Sequence, residues 1–244
     1  MFLALDSSTL TLSLALVEGR GPGVRLVEGV DHGPPRKVSQ MLPGAVTELL
    51  ERHRVRLESL EGIAVGLGPG SFTGLRVGLA TAKGLAYAAG IPLCGVGSLA
   101  AAALEGPEGV PLLPCAVARK GELYVGRFAR RGLELDRVAP EEAIPPAELA
   151  SWMQKEPASV ALGPAIAEYR GELLALGVAP GRLLGAAPWP PALDVARLAA
   201  LPEKLDLQAL FALEPYYVRP SEAERNPKFP PLPGPAPVAR IKED

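Results

Sequence analysis

Residues 62–90, GIAVGLGPGSFTGLRVGLATAKGLAYAAG, constrain the fold of this chain more than any other stretch. An apolar run, Ile63–Leu67, enters a turn built on Gly66, Gly68, Pro69 and Gly70, and the turn opens into a helix with Ser71 as its N-cap. Along that helix Gly74, Gly78, Ala82 and Ala86 recur every fourth residue, so one face is almost bare backbone. A glycine inside a helix costs about 1 kcal/mol relative to alanine, so two on one face need a reason. The usual reason is the close approach of another backbone, from a helix, a strand or a ligand.

A strand, a glycine turn and a helix N-terminus also make a natural anion site, because free N–H groups and the helix dipole point outward. The specific phosphate fingerprints are missing. A P-loop needs Gly-x-x-x-x-Gly-Lys-Ser/Thr, whereas Ser71 stands five residues after Gly66 and no lysine follows until Lys83. Thr73 stands where a dinucleotide fingerprint places its third glycine, and Ile91 with uncharged neighbours where it places an acidic residue. Close packing is the favoured reading of the loop over contact with a nucleotide.

The 244 residues suffice for one large domain or two of ordinary size, and a hydrophobic fraction of 48% supplies a full core. A net charge of −2 provides no electrostatic footprint for binding nucleic acid unaided. Cys94 and Cys115 both lie in apolar runs and read as buried thiols. The two histidines, His32 and His53, have no second ligand at helical spacing, so no metal site is expected. The start, MFLALDSS, lacks a basic segment and meets Asp6 at once, which excludes a signal peptide from the expectation. Residues 84–104 carry no charge, but Gly84, Gly90, Pro92, Gly95 and Gly97 break them into a helix end, a strand and a new helix. The expected location is the cytoplasm, with no membrane association.

Pattern and punctuation predict strands at 2–5, 12–17 and 24–30, a helix at 39–53, strand 62–67, helix 71–90, strand 92–96 and helix 98–105. The second half repeats this order with strands at 112–118, 122–129 and 133–138, helix 146–154, strand 159–163, helix 164–177, strand 182–184 and helix 192–201. Two βββαβαβα halves, 1–105 and 106–218, meeting at Glu105–Gly109, are the pattern of a duplicated α/β ribonuclease-H-like fold. From Arg219 to residue 244 seven prolines mark a separate tail, extended or irregular, whose last dozen residues read as disordered.

Asp6-Ser7-Ser8-Thr9 follows the first strand, where a carboxylate could bind Mg²⁺ through water or orient a nucleophile. The competing reading is an Asx-type turn in which Asp6 accepts from neighbouring N–H groups. That reading is the stronger, because Ala116-Val117-Ala118 offers no second carboxylate at the start of the other half. Ser71 is better explained as an N-cap than as a nucleophile, so no catalytic residue is assigned. Arg119-Lys120-Gly121-Glu122 sits at a hairpin turn, where its basic pair is either a solvated turn or a contact for a phosphate or an acidic surface.

Gly68-Pro69-Gly70-Ser71-Phe72-Thr73-Gly74-Leu75-Arg76-Val77-Gly78 resembles the signature of the bacterial TsaB (YeaZ) family. Leu5-Asp6-Ser7-Ser8, Ala118-Arg119-Lys120-Gly121-Glu122-Leu123-Tyr124 and Pro215-Tyr216-Tyr217-Val218-Arg219 match in the same order along the chain. The resemblance implies the actin/Hsp70/sugar-kinase superfamily of folds. It also implies a part in making threonylcarbamoyladenosine beside the tRNA anticodon. In that pathway a TsaD-type subunit carries the metal and the chemistry, TsaB-like chains bind it, and a TsaE-type ATPase joins the assembly. The metal-binding His-x-x-x-His of the TsaD paralogue is absent here. Val38-Ser39-Gln40 and Val117 depart from polar residues common in the family, and nothing in the chain supports the peptidase label sometimes attached to it.

The resulting expectation is a non-catalytic subunit that docks a TsaD-type partner and forms homodimers when alone, touching tRNA only indirectly. The expected contact surface is the bare helix face and its flanks: Ser71, Phe72, Gly74, Leu75, Arg76, Val77, Gly78, Leu79, Ala82 and Lys83, with helix 39–53 alongside. No cofactor is expected, beyond a possible nucleotide at the partner interface. The rival is a nucleotide-binding enzyme of the same superfamily using Asp6, Ser7, Gly68 and Gly70.

Overall fold

Strand β1 (Phe2–Asp6) is buried at every residue, which requires neighbours on both edges and cover on both faces. The computed structural model supplies both, and it describes residues 1–19, 21–32, 38–185 and 192–219. On one side β2 (Leu12–Glu18) runs antiparallel to β1, with Leu3 opposite Leu16, and β3 (Arg25–His32) runs antiparallel to β2. On the other, β4 (Ile63–Gly66) and β5 (Leu93–Val96) continue the sheet in parallel, giving the order β3-β2-β1-β4-β5. The connections after β3, β4 and β5 carry helices α1 (Val38–Arg52), α2 (Phe72–Ala89) and α3 (Ser98–Ala103).

The second series repeats this plan. Strands β6 (Leu112–Arg119), β7 (Glu122–Arg131) and β8 (Glu134–Ile144) form an antiparallel meander, and β9 (Val160–Leu162) and β10 (Leu183–Leu184) pair in parallel on the other side of β6. The order β10-β9-β6-β7-β8 is that of the first sheet. Helices α4 (Pro146–Lys155) and α5 (Pro164–Ala175) follow β8 and β9, and α6 (Ala192–Leu198) follows β10. A five-stranded mixed sheet of this order, made twice in one chain, is the duplicated ribonuclease-H-like fold that the element order predicts.

Burial of apolar faces positions the helices. Leu42, Val46, Leu49 and Leu50 of α1 share one core with Leu79, Ala82 and Ala86 of α2 and with Leu3, Leu5, Leu14, Leu16, Ile63 and Val65 of the sheet. At the end of α1, Arg52 and His53 both reach Glu28 on the edge strand β3, at 2.6 Å each. The other face of the first sheet is closed by a helix from the second series: Ala192, Val195 and Ala196 of α6 pack among Phe2, Ala4, Ala15, Val17 and Ala64. The Ala192 amide donates to Ser13 Oγ at 2.8 Å. In return, Leu99, Ala102 and Ala103 of α3 pack on Leu112, Ala116, Phe128 and Leu162 of the second sheet. The two halves are therefore interlocked by one helix each.

One helix was not anticipated: α7 (Leu207–Ala212), whose N-cap Asp206 accepts from the Gln208 and Ala209 amides. Its signal was present in Asp206 before Leu207, Leu210 and Phe211, but six residues make a weak periodic pattern. Cys115 is buried as expected, while Cys94 is only half-buried, and both are free thiols. The Pro-rich tail beyond Arg219 and the side chains of Ser39 and Gln40 lie outside the described residues. No helix among the described residues is long and apolar enough to cross a membrane.

Candidate functional site

The glycine turn and the Asp6 turn are two sides of one contact. Asp6, Ser7 and Ser8 are all buried, at 0%, 1% and 1% exposure. Asp6 Oδ1 accepts from the Ser8 amide at 2.7 Å, closing the Asx-type turn, and Oδ2 accepts from Ser98 Oγ at 2.6 Å. Ser98 Oγ accepts in turn from the Gly68 amide at 2.9 Å, so the carboxylate is tied through one hydroxyl to the glycine loop. Burial pushes the Asp6 carboxyl up to about 6, and the hydrogen bonds from Ser8 and Ser98 pull it only part of the way back.

The glycines make room for this turn. A β-carbon at Gly66 would collide with Asp6 Oδ2, at Gly70 with the Ser8 carbonyl, at Gly74 with the Ser7 carbonyl and at Gly78 with Ser7 Oγ. Ser7 Oγ donates to the Gly74 carbonyl at 2.9 Å and the Ser71 amide donates to the Ser8 carbonyl at 2.6 Å. Gly68 has φ +94°, a conformation that side chains with a β-carbon resist. Ser71 caps α2 as predicted, accepting from the Gly74 amide at 3.2 Å. The backbone that approaches the bare face of α2 is thus the chain's own β1–β2 turn.

This overturns half of the expected contact surface. Gly74, Leu75, Gly78, Leu79 and Ala82 are buried inside the monomer and present nothing to a partner. Ser71, Phe72 and Arg76 are exposed, and Val77 and Lys83 are half-buried. The opposite face of α2 carries a second series of small residues, Ala80, Gly84 and Ala88, all exposed. A β-carbon at Gly84 would meet no atom within 4 Å. Sequence periodicity contained this second stripe, but only the placement of the β1–β2 turn tells the two apart.

Along the edge of α2 lies the end of the described chain. The Phe72 and Tyr217 rings are 5.4 Å apart, Arg76 sits 4.0 Å over the Phe72 ring, and Arg76 Nε donates to Tyr217 Oη at 3.0 Å. Further along, Lys83 Nζ donates to the Phe211 carbonyl at 2.9 Å, and Tyr87 and Phe211 are 5.9 Å apart.

In the second half Arg119 holds Glu122 with two bonds of 2.9 Å, which depresses the Glu122 carboxyl below its ordinary range. Tyr169 Oη, which sequence reasoning did not single out, accepts from the Gly121 amide at 3.0 Å and donates to the Arg119 carbonyl at 3.3 Å. Arg119 is thus an exposed side chain paired within its own hairpin, an arrangement that neither reading of the sequence named. No group of three or more His, Cys, Asp or Glu side chains converges among the described residues.

Fold and site together define a duplicated ribonuclease-H-like protein whose first-half carboxylate is spent on internal bonds. The family model for TsaD, tRNA N6-adenosine threonylcarbamoyltransferase, matches residues 35–170, more than half of the chain. A tRNA threonylcarbamoyladenosine biosynthesis protein TsaB of Bacillus subtilis is 32% identical over 62% of this chain and 64% of its own length. The TsaB of Escherichia coli is 35% identical over 52% of this chain and 54% of its own. The chain thus matches between about half and two thirds of the length of these curated relatives. A Pseudomonas aeruginosa crystal structure, described as similar to peptidase YeaZ, superposes with a TM-score of 0.68 at 27% identity, covering 89% of this chain and 99% of that one. YeaZ of the same organism gives a TM-score of 0.64 at 28% identity over 81% and 89%. The chain belongs to the TsaB (YeaZ) family.

Proposed function

We propose that this protein is a non-catalytic subunit required for threonylcarbamoyl transfer to the adenosine beside the tRNA anticodon, acting by binding a TsaD-type catalytic subunit. The observation that carries this reading is the state of Asp6. A carboxylate serving Mg²⁺ or a nucleophile must face a ligand, whereas both oxygens of Asp6 are engaged by Ser8 and Ser98 at 0% exposure. The names of the TsaB relatives supply the pathway.

The docking face in this reading is the outer face of α2: Ala80, Gly84 and Ala88, bordered by Phe72, Arg76 and Tyr87. Small residues four apart let a second helix approach closely, and exposed aromatics with an arginine are the residue types that anchor interfaces. The same face would join two copies of the chain when the partner is absent, and a TsaE-type ATPase would join the assembled pair. A net charge of −2 supports indirect contact with tRNA.

The test is reconstitution from purified components. TsaD-type and TsaE-type proteins of the same host, with tRNA, threonine, bicarbonate and ATP plus the enzyme that makes the threonylcarbamoyl adenylate, should modify tRNA only when this chain is added. Sedimentation should show a complex of this chain with the TsaD-type protein. Calorimetry of the isolated chain with Mg–ATP should show no site tighter than about 100 μM, roughly −5.5 kcal/mol. Modification without the chain, or a low-micromolar ATP site with turnover, would reject the scaffold role in favour of the superfamily enzyme.

A further inference from the structure

The Pro215-Tyr216-Tyr217-Val218-Arg219 motif supplies no residue to the Asp6 turn and meets the docking face only at its border, at Phe72 and Arg76, yet it touches both halves of the molecule. Its segment belongs to no helix or strand, so its backbone groups must find partners elsewhere. The Tyr216 amide donates to the Leu67 carbonyl at 2.8 Å, at the entry to the glycine turn of the first half. Tyr217 accepts from Arg76 and stacks near Phe72, both at the start of α2.

The remaining contacts belong to the second half. Arg137 of β8 lies 5.9 Å from the Tyr216 ring, and its other partner is Glu141 at 3.0 Å, a buried carboxylate. Arg219 pairs with Glu122 of β7 at 2.5 Å, with side-chain exposures of 24% and 18%. Within these five residues Tyr216, Tyr217 and Arg219 thus carry anchors on the glycine turn, on α2, on β8 and on β7. Halves of a chain move against each other by default unless a large apolar interface holds them. Here α3 and α6 interlock the halves, and this segment adds a second tie at a different place.

We propose that Pro215–Arg219 is a latch that sets the second half against the glycine turn and the first turns of α2, so that the Arg219–Glu122 pair governs the mobility of residues 67–76. Release at Arg219 frees the peptide from β7, Tyr216 and Tyr217 lose their fixed approach, and Leu67, Phe72 and Arg76 lose the contacts those two residues supply. The latch is a property of the isolated chain and holds whether or not a TsaD-type partner binds.

Hydrogen exchange on the full chain, followed by mass spectrometry, tests this with Arg219→Ala and, separately, Glu122→Gln. Among the described residues, neither side chain shares a hydrogen bond or ion pair with residues 67–76. The expected result is exchange three- to thirtyfold faster in peptides covering 67–76 in both variants, with α5 unchanged. Faster exchange confined to 119–122 and 214–219 would overturn the proposal. So would uniform acceleration that includes α5, which marks loss of overall stability and not release of a latch. Should Arg219→Ala fail to fold, Glu122→Gln alone gives the same readout.

Discussion

Gly78 on α2 lies directly against Ser7 of the β1–β2 turn: a β-carbon at position 78 would overlap the Ser7 hydroxyl oxygen. The contact joins residues 71 apart in sequence and turns a glycine-bearing helix face into part of the monomer core.

Gly78→Leu should therefore destabilise the fold and not merely an interface. Overpacking of this kind costs about 1–3 kcal/mol, a fall of roughly 2–12 °C in melting temperature for a chain of this size. Calorimetry of the variant alone decides it, and an unchanged or higher melting temperature would show that Ser7 moves aside freely.

Gly84→Leu should do the reverse. Nothing lies within 4 Å of a β-carbon there, and replacing a helical glycine gains about 1 kcal/mol, so the isolated chain should melt at the same temperature or higher. If the outer face of α2 docks the partner, binding to the TsaD-type protein should weaken roughly ten- to a hundredfold, read by sedimentation or calorimetry. Full affinity in this variant would place the docking surface elsewhere.

Asp6 predicts a pH dependence with a definite sign. Its carboxyl titrates near 6 in the folded chain against 3.8 as the ordinary value, so the folded state holds a proton that the unfolded state has released. Stability from this group is greatest below about pH 4, falls as pH rises to about 6 and is level above, a total of about 3 kcal/mol at most. Asp6→Asn removes the titration. Urea unfolding at pH 4, 5, 6 and 7 should show the stability of the variant relative to wild type rising by up to that amount across the window, and a constant difference would refute it.

Arg182 should matter more than its half-exposed position suggests. Its guanidinium donates to the carbonyls of Met153, Glu156 and Ser159 at 2.8 Å each, and to Ser159 Oγ at 2.7 Å, closing the C-terminal end of α4. Arg182→Met leaves those acceptors short of a charged donor and should cost about 2–3 kcal/mol. Urea midpoints test this, and a loss below about 0.5 kcal/mol would mean that water replaces the arginine.

Much of the architecture was legible because strands such as β1, β2 and β4 are short apolar runs bounded by turn residues, whereas β8, charged and largely exposed, runs to Ile144, past the predicted end at 138. The predicted helix 71–90 and the observed Phe72–Ala89 agree because Ser71 and Gly90 carry the capping chemistry locally, Gly90 in the left-handed conformation at φ +68°. The Asx turn at Asp6 was legible for the same reason, since Ser8 is two residues away. Its second partner, Ser98, stands 92 residues further on and carries no local signal.

What the sequence by itself determined is the set of elements, their order and the presence of a helix face stripped of side chains. Spacing rules act over a few residues, and each of these features is settled within such a span. Which of the two small-residue faces of α2 would be buried was decided only by tertiary structure. β1 pairs in parallel with β4, with Leu5 opposite Val65, and that register carries the Asp6–Ser8 turn onto Gly70, Gly74 and Gly78. Likewise, no periodicity in α6 says whether Ala192, Val195 and Ala196 cover the second sheet or return to the first. An apolar stripe states how much surface must leave water, and the partner it meets depends on where the rest of the chain has already placed its own.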